Sequence, residues 1–341
     1  MANSMRPGIY TDYTITPVFS KNRGQSIGIA ARVKHAVEGI QTITSLSQAQ
    51  RIFGEEALDN PMMQLIGAVY EATAPTIYAV GVTEDTDEAY LGAVDSLFQS
   101  RAYLLTTDRK SLPVYQKIRE KLRESGEKLA VLPTIPDTPP DELAQELNCE
   151  RICVTYPPVK KNRFTEDFSA IGLTALISDR NGEPGSFNGA AYSQNCVLTE
   201  EPEEEEVETY LRSGVCVLET SGGSVTLIRG VTTRTHDEAG EPETSYRNLG
   251  VILTVDTVLP QLQETLRQKL DLTQNSLVGL NSILSLTVSR LEDFVDAGLL
   301  SGYDMPRITL DPDDASVCIV EIGFTVAQGI SSIYLTAQIT V

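Results

Sequence analysis

Between Ser26 and Ser178, short apolar runs alternate with stretches of helical period, and this alternation constrains the fold more than any other feature of the chain. Residues 27–33, 76–82, 102–106, 129–132 and 151–156 read as buried strands. Helices are expected between them. Ser47 is the expected cap of a short helix over 48–53 that Gly54 closes, and further helices are expected over 62–72, 87–99 and 140–147. Another starts after Ser111 with Pro113 just inside, shows Tyr115, Ile118 and Leu122 on one face, and stops at Gly126. Strands separated by one helix each cannot close as hairpins. They run parallel, with the crossover helices covering the sheet.

The second half has a different rhythm, so the fold class is α/β in a mixed α+β arrangement. Residues 164–177 read as a helix and 179–185 as a loop. The acidic run Glu200-Glu-Pro-Glu-Glu-Glu-Glu206 reads as the solvated start of a helix over 203–212, where carboxylates favour the positive end of the helix dipole. Residues 214–218 and 225–233 flank Gly222-Gly223 as a hairpin. A polar loop over 234–245 precedes the apolar run 251–255. Leu259, Leu262, Leu266 and Leu270 mark one helical stripe. Leu280, Leu284, Val288, Leu291, Val295 and Leu299 mark a longer one that Gly302 is expected to stop. Residues 317–326 read as one strand with Cys318, Val320, Ile322, Phe324 and Val326 inward.

Both ends alternate with period two. Ile333, Leu335, Ala337, Ile339 and Val341 share one face, opposite Tyr334, Thr336, Gln338 and Thr340. Near the start, Ile9, Tyr13 and Ile15 oppose Tyr10, Asp12 and Thr14, before Pro17 and a polar hinge, Lys21-Asn-Arg-Gly24. Every backbone donor and acceptor along such a strand needs a partner or water. The partner is either the strand's own domain or the sheet of another subunit.

The net charge is −20, from 27 Lys and Arg against 47 Asp and Glu. Such a chain has no basic stripe for nucleic acid and no attraction to an anionic membrane. No apolar run approaches the roughly 20 residues of a membrane span, and the first residues show no leader pattern. Five cysteines (149, 153, 196, 216 and 318) include no CxxC pair and are read as reduced thiols. The two histidines, His35 and His236, have no second ligand at metal-binding spacing. The chain has no GxxxxGK[ST], GxGxxG or GxSxG, so no catalytic residue, cofactor or metal is expected. The alternative class is a Rossmann-like enzyme or ligand-binding domain with an oligomerisation module.

Several stretches, in order, resemble contractile-tail sheath proteins. Pro7-Gly8-Ile9-Tyr10 is similar to that family's N-terminal Pro-Gly-Val-Tyr, and Arg51-Ile-Phe-Gly54 to the end of its Phe-Gly helix. Residues 65–70 and 76–82 follow it. Leu211-Arg-Ser-Gly-Val-Cys216 resembles the family's junction of a leucine with Gly-Ile-Asn. Ile228-Arg-Gly-Val-Thr-Thr-Arg234 resembles its Gly-Ala-Arg-Thr hairpin, with Arg229 or Arg234 standing in for the displaced arginine. Tyr246-Arg-Asn-Leu249, the helix at 291–300, Gly302-Tyr303 and Ile333-Tyr334-Leu335 complete the series.

The resemblance implies an N-terminal strand arm (1–20), an α/β domain (21–195), a C-terminal sheath domain (196–329) and a C-terminal strand arm (330–341). The arms would complete the sheets of neighbouring subunits. Ile9, Tyr10, Tyr13 and Ile15 would serve one arm, and Ile333, Leu335, Ala337, Ile339 and Val341 the other. The expected activity is mechanical: stacked rings around a tail tube shorten and drive the tube through a target envelope. The expected partners are further copies of the chain, a tail tube protein, and baseplate and terminator proteins, in a virion tail or phage-tail-like particle assembled in the cytoplasm. The basic clusters Arg109/Lys110/Lys117/Arg119/Lys121/Arg123 and Lys160/Lys161/Arg163 are candidates to meet acidic patches in such a lattice.

Overall fold

The computed structural model describes residues 26–161, 166–180, 186–192, 195–269, 276–314 and 316–328 of the 341. The predicted crossovers form. Strands β1 (Ile27–Arg32) and β2 (Gln41–Ile43) come first, then α1 (Leu46–Phe53) and α2 (Pro61–Ala72). Next come β3 (Ile77–Val82), α3 (Asp87–Gln99), β4 (Leu104–Thr107), α4 (Leu112–Ser125), β5 (Leu129–Pro133), α5 (Pro140–Leu147) and β6 (Ile152–Tyr156). After the short β7 (Val159–Lys161) follow α6 (Ser169–Arg180), β8 (Ala190–Ala191), β9 (Cys196–Leu198), α7 (Glu204–Arg212), β10 (Val215–Ser221) and β11 (Ser224–Leu227). The C-terminal part contains α8 (Leu249–Arg267), α9 (Leu277–Asp296), β12 (Leu300–Tyr303), β13 (Arg307–Leu310), β14 (Cys318–Glu321) and β15 (Phe324–Val326).

Nine strands make the main sheet, in the order β2-β3-β1-β4-β5-β6-β10-β11-β8. It is parallel from β3 to β10 and antiparallel at both margins. Both faces are buried, as parallel sheets require. On β1, Ile27, Ile29 and Ala31 join a core with Leu65 and Ile66 of α2 and Ile171 and Leu173 of α6. Ala30 points the other way, to Tyr90 of α3, Ile118 of α4 and Leu143 of α5. The same alternation splits β5, with Leu129 and Val131 on one side and Ala130 and Leu132 on the other.

The boundary expected at 195/196 cuts across this sheet. β10 pairs parallel with β6 (Val215↔Val154), and β11 pairs with both β10 and β8. Gly214 makes the entry possible: its φ is +87°, and a Cβ there would lie 2.5 Å from the Thr232 carbonyl oxygen.

Several local expectations need correction. Ser45, not Ser47, caps α1: its Oγ accepts from the Gln48 N–H at 3.3 Å, while Ser47 lies inside the helix. The strand expected over 225–233 ends at Leu227, after which Val231 leaves to bridge Asn248. Residues 251–255 belong to α8, an unbroken helix of 19 residues with Pro260 inside it. Gly298, at φ +72°, turns the chain out of α9, whereas Gly302 sits in β12 opposite Thr325. The strand expected over 317–326 divides at Gly323. The Asp304 carboxylate stands over Gly323, where a Cβ would lie 2.7 Å from its Oδ2, so a side chain at this position would have to displace that carboxylate. β14 then pairs with β13, and β15 with β12.

α8 belongs to two cores. Leu249 packs into the sheet's core, whereas Val258 and Leu262 pack with Leu291, Phe294, Leu299 and Leu300. Between them stands Asp256, 4% exposed. Its two oxygens take both terminal nitrogens of Arg151, one at 2.9 Å, and Oδ2 also accepts from the Tyr103 hydroxyl at 2.6 Å. Arg151 and Tyr103 sit at the starts of β6 and β4, so the clamp fixes the helix to the ends of the central strands. Breaking a buried pair leaves an uncompensated charge. Asp256→Ala is therefore expected to lower stability by about 3–5 kcal/mol in thermal or denaturant unfolding; an unchanged melting temperature would contradict this role.

Candidate functional site

In open α/β sheets the ligand crevice lies beyond the carboxyl ends of the strands, where the strand order reverses. Here that point is β1, flanked by β3 and β4. Charged side chains that already hold one another fill it. Asp108, just past β4, accepts from the Arg32 N–H at 3.0 Å and the Tyr90 hydroxyl at 2.7 Å. Desolvation pushes its carboxyl above the usual carboxylate range. Arg109 binds Asp85 at 2.5 Å and Asp87 at 2.8 Å and lies over the Tyr90 ring. Hydrogen bonds from Ser111 and then Arg109 hold the Asp87 carboxyl below its usual range.

Lys110 holds Asp167 at 2.8 Å, and Asp167 in turn accepts from the Val159 and Ser169 N–H groups. Burial and then the charge of Asp108 push the neighbouring Glu166 up. Thr86 caps α3, and Asp87 and Glu88 stand in its first turn, where a bound phosphate would otherwise meet free N–H groups. Carboxylates there repel an anion. The chemistry of this crevice is that of a structural tie between loops, which weakens the ligand-binding alternative.

The other candidate residues are scattered. His35 is exposed after β1. His236 takes a hydrogen bond between its Nδ1 and Thr235 Oγ1 (2.9 Å), while Asn148 Oδ1 accepts from its backbone N–H. Cys149 and Cys153 lie in the cores on opposite faces of the sheet, so they are packing residues and not a ligand pair. Among the described residues, no group of three His, Cys, Asp or Glu could hold a metal ion. None of their helices is long and apolar enough to cross a membrane.

The proposed lattice cations divide likewise. Lys161 is buried against Glu71, so it is not a surface charge. Arg109 and Lys110 are committed to the crevice, while Lys117 and Lys121 pair with Glu120, Glu124 and Asp95 on their own surface. Lys160 is exposed, and Arg163 lies outside the described residues.

The arm residues Ile9, Tyr10, Tyr13, Ile15, Ile333, Leu335, Ala337, Ile339 and Val341 also lie outside the described residues. The described C-terminal part shows what an added strand could meet. β12 and β15 form a two-stranded pair, as do β13 and β14. Tyr303, Phe324 and Val326 of the first pair are only half-buried where they pack on α8 and α9. A two-stranded pair is marginal by itself and gains from a third strand. Among the described residues, neither pair has one.

Residues 241–340 match the family model described as the phage tail sheath C-terminal domain. No curated protein matches the chain by sequence. Among solved structures, the chain is similar to the helical sheath of the anti-feeding prophage in its contracted state. That match has 13% identity and a TM-score of 0.72, and covers 98% of this chain and 99% of that one. It is also similar to the sheath complex of an extracellular contractile injection system, PVC, in its contracted state, with 13% identity, a TM-score of 0.71 and coverage of 100% and 99%. The sheath tail protein from Listeria innocua matches with 11% identity, a TM-score of 0.68 and coverage of 91% and 93%. Residues 241–340 thus match the phage tail sheath C-terminal domain family, and the chain as a whole has the fold of contractile-tail sheath proteins.

Proposed function

We propose that this chain is a structural subunit of a contractile sheath, polymerising as stacked rings around a tail tube and shortening to drive that tube through a target envelope. One observation carries the reading: the match to the sheath C-terminal domain falls on a chain that shares its fold, nearly end to end, with the sheaths of two contractile particles. The work is mechanical and needs no catalytic group. A carboxylate-filled crevice and a clamped α8 suit a block that transmits force.

In this reading the chain ends join the blocks. Residues 1–20 and 330–341 are the arms of a body made of residues 21–329, and the matched stretch reaches into the second arm. A strand added to β12–β15 or β13–β14 of a neighbouring copy would contribute its backbone hydrogen bonds to affinity, and its alternate side chains would set the register. Burying a side chain such as Ile333, Leu335, Ile339 or Val341 stabilises by roughly 1.5–3 kcal/mol. Four on one arm are enough to keep neighbours joined while their rigid faces exchange contacts. The partners are further copies, the tail tube protein, and the baseplate and terminator proteins. The place is a virion tail or phage-tail-like particle assembled in the cytoplasm, with no nucleic-acid or membrane contact.

Deleting residues 333–341 is expected to leave a folded, monomeric protein that forms no tubes by electron microscopy; long tubes from the truncated protein would refute the arm. Leu335→Asp is expected to abolish tube formation with little change in circular dichroism. Melting of the monomer by this substitution would place the strand in its own domain.

A further inference from the structure

Three stretches singled out in the sequence, Leu211-Arg-Ser-Gly, Ile228-Arg-Gly and Tyr246-Arg-Asn, converge at one end of α7. Leu211 and Ile228 both pack against the small core of Ala144, Val215 and Val217, and Arg247 donates through a terminal nitrogen to the Leu211 carbonyl oxygen at the close of the helix. This places Arg212, Arg229 and Arg247 in one group. The cluster has little compensating charge, with Glu208 acting on Arg212 and Arg247. Arg229 is exposed and has no ion pair among the described residues, and Arg247 has a buried Nε with no hydrogen-bond partner. Arg212 has only an exposed pair with Glu208, of the kind that contributes little. The guanidinium of Arg247 is held below its usual range by burial and by the charge of Arg229. Three like charges gathered in a chain of net charge −20 call for an acidic partner.

The opposite end of the same helix carries that chemistry. Glu204, Glu205 and Glu206 fill the first turn of α7, and Glu204 and Glu205 are exposed with no ion pair among the described residues. At ~1.5 Å per residue the two ends of α7 stand roughly 13 Å apart, too far to neutralise each other.

We infer that the Arg212–Arg229–Arg247 cluster docks the acidic start of α7 from a second copy of this chain. The contact is head-to-tail, so each copy offers a basic end to one neighbour and an acidic end to the next. Contacts of this kind close into rings or continue as helices instead of stopping at a dimer. The inference rests on the sheath reading, and it adds a second, charge-based contact beside the strand arms. It also gives the acidic run a role beyond favouring the helix dipole.

The test is charge reversal and swap in the full-length protein, read as the protein concentration at which tubes appear by sedimentation and electron microscopy. Arg229→Glu alone, and Glu204→Lys with Glu205→Lys, are each expected to raise that concentration about tenfold near 0.15 M salt. All three substitutions together are expected to bring it back close to the wild-type value. Circular dichroism and thermal melting confirm folding, with Arg229→Gln as a milder variant of intermediate effect. Wild-type assembly by Arg229→Glu, or no recovery in the swapped protein, overturns the contact and leaves the sheath reading standing. Compact oligomers without tubes from the wild type overturn the sheath reading. The contact is then judged by whether those oligomers weaken with salt and with Arg229→Glu, and it falls if neither has an effect.

Discussion

The buried ion pair between Arg151 and Asp256 is the constraint on which the rest of the molecule turns. A long helix that leaves one core and enters another could pivot where it crosses between them. Here the crossing point is fixed by a two-pronged guanidinium–carboxylate contact and by the Tyr103 hydroxyl. The starts of β4 and β6 therefore set the direction of α8, and α8 sets the position of α9 and the small strand pairs. A subunit that passes force between its sheet and its C-terminal part needs such a joint. Pro260, four residues beyond the clamp, removes one helical hydrogen bond, which makes the side-chain anchor at Asp256 more consequential.

The same economy governs the sheet. Its strand order puts a crevice where many α/β proteins bind ligands, yet five carboxylates (Asp85, Asp87, Asp108, Glu166 and Asp167) and three cations (Arg32, Arg109 and Lys110) are knitted together there. With the crevice occupied by its own side chains, the open features among the described residues include the two-stranded pairs of the C-terminal part and the charged ends of α7. These are features suited to contact between copies, which agrees with the sheath fold.

Much of the architecture was legible because parallel sheets buried on both faces leave a strong trace. Continuous apolar strands such as 129–132, separated by capped amphipathic helices, admit few arrangements. The local misses have a common cause, namely that long-range contacts decided them. The chain divides at Gly323 because its two halves pair with different strands, β14 with β13 and β15 with β12, and β10 joins β6 because Gly214 can pass the Thr232 carbonyl. Neither pairing is visible in a local window. The clamp did leave a signal, since Asp256 is the only charged residue from Leu249 to Gln263 and an acid within such an apolar helix needs a buried partner. The arms are expected from alternation alone, and alternation predicts a strand but not the sheet it joins.

Whether the ends are borrowed by neighbouring copies is settled most directly by a cryo-electron microscopy reconstruction of the assembled particle, tracing residues 329–341 from one copy to their hydrogen-bond partners. The account predicts that Ile333 to Val341 lie against a strand pair of an adjacent copy. Finding the segment paired within its own chain throughout the lattice would contradict it.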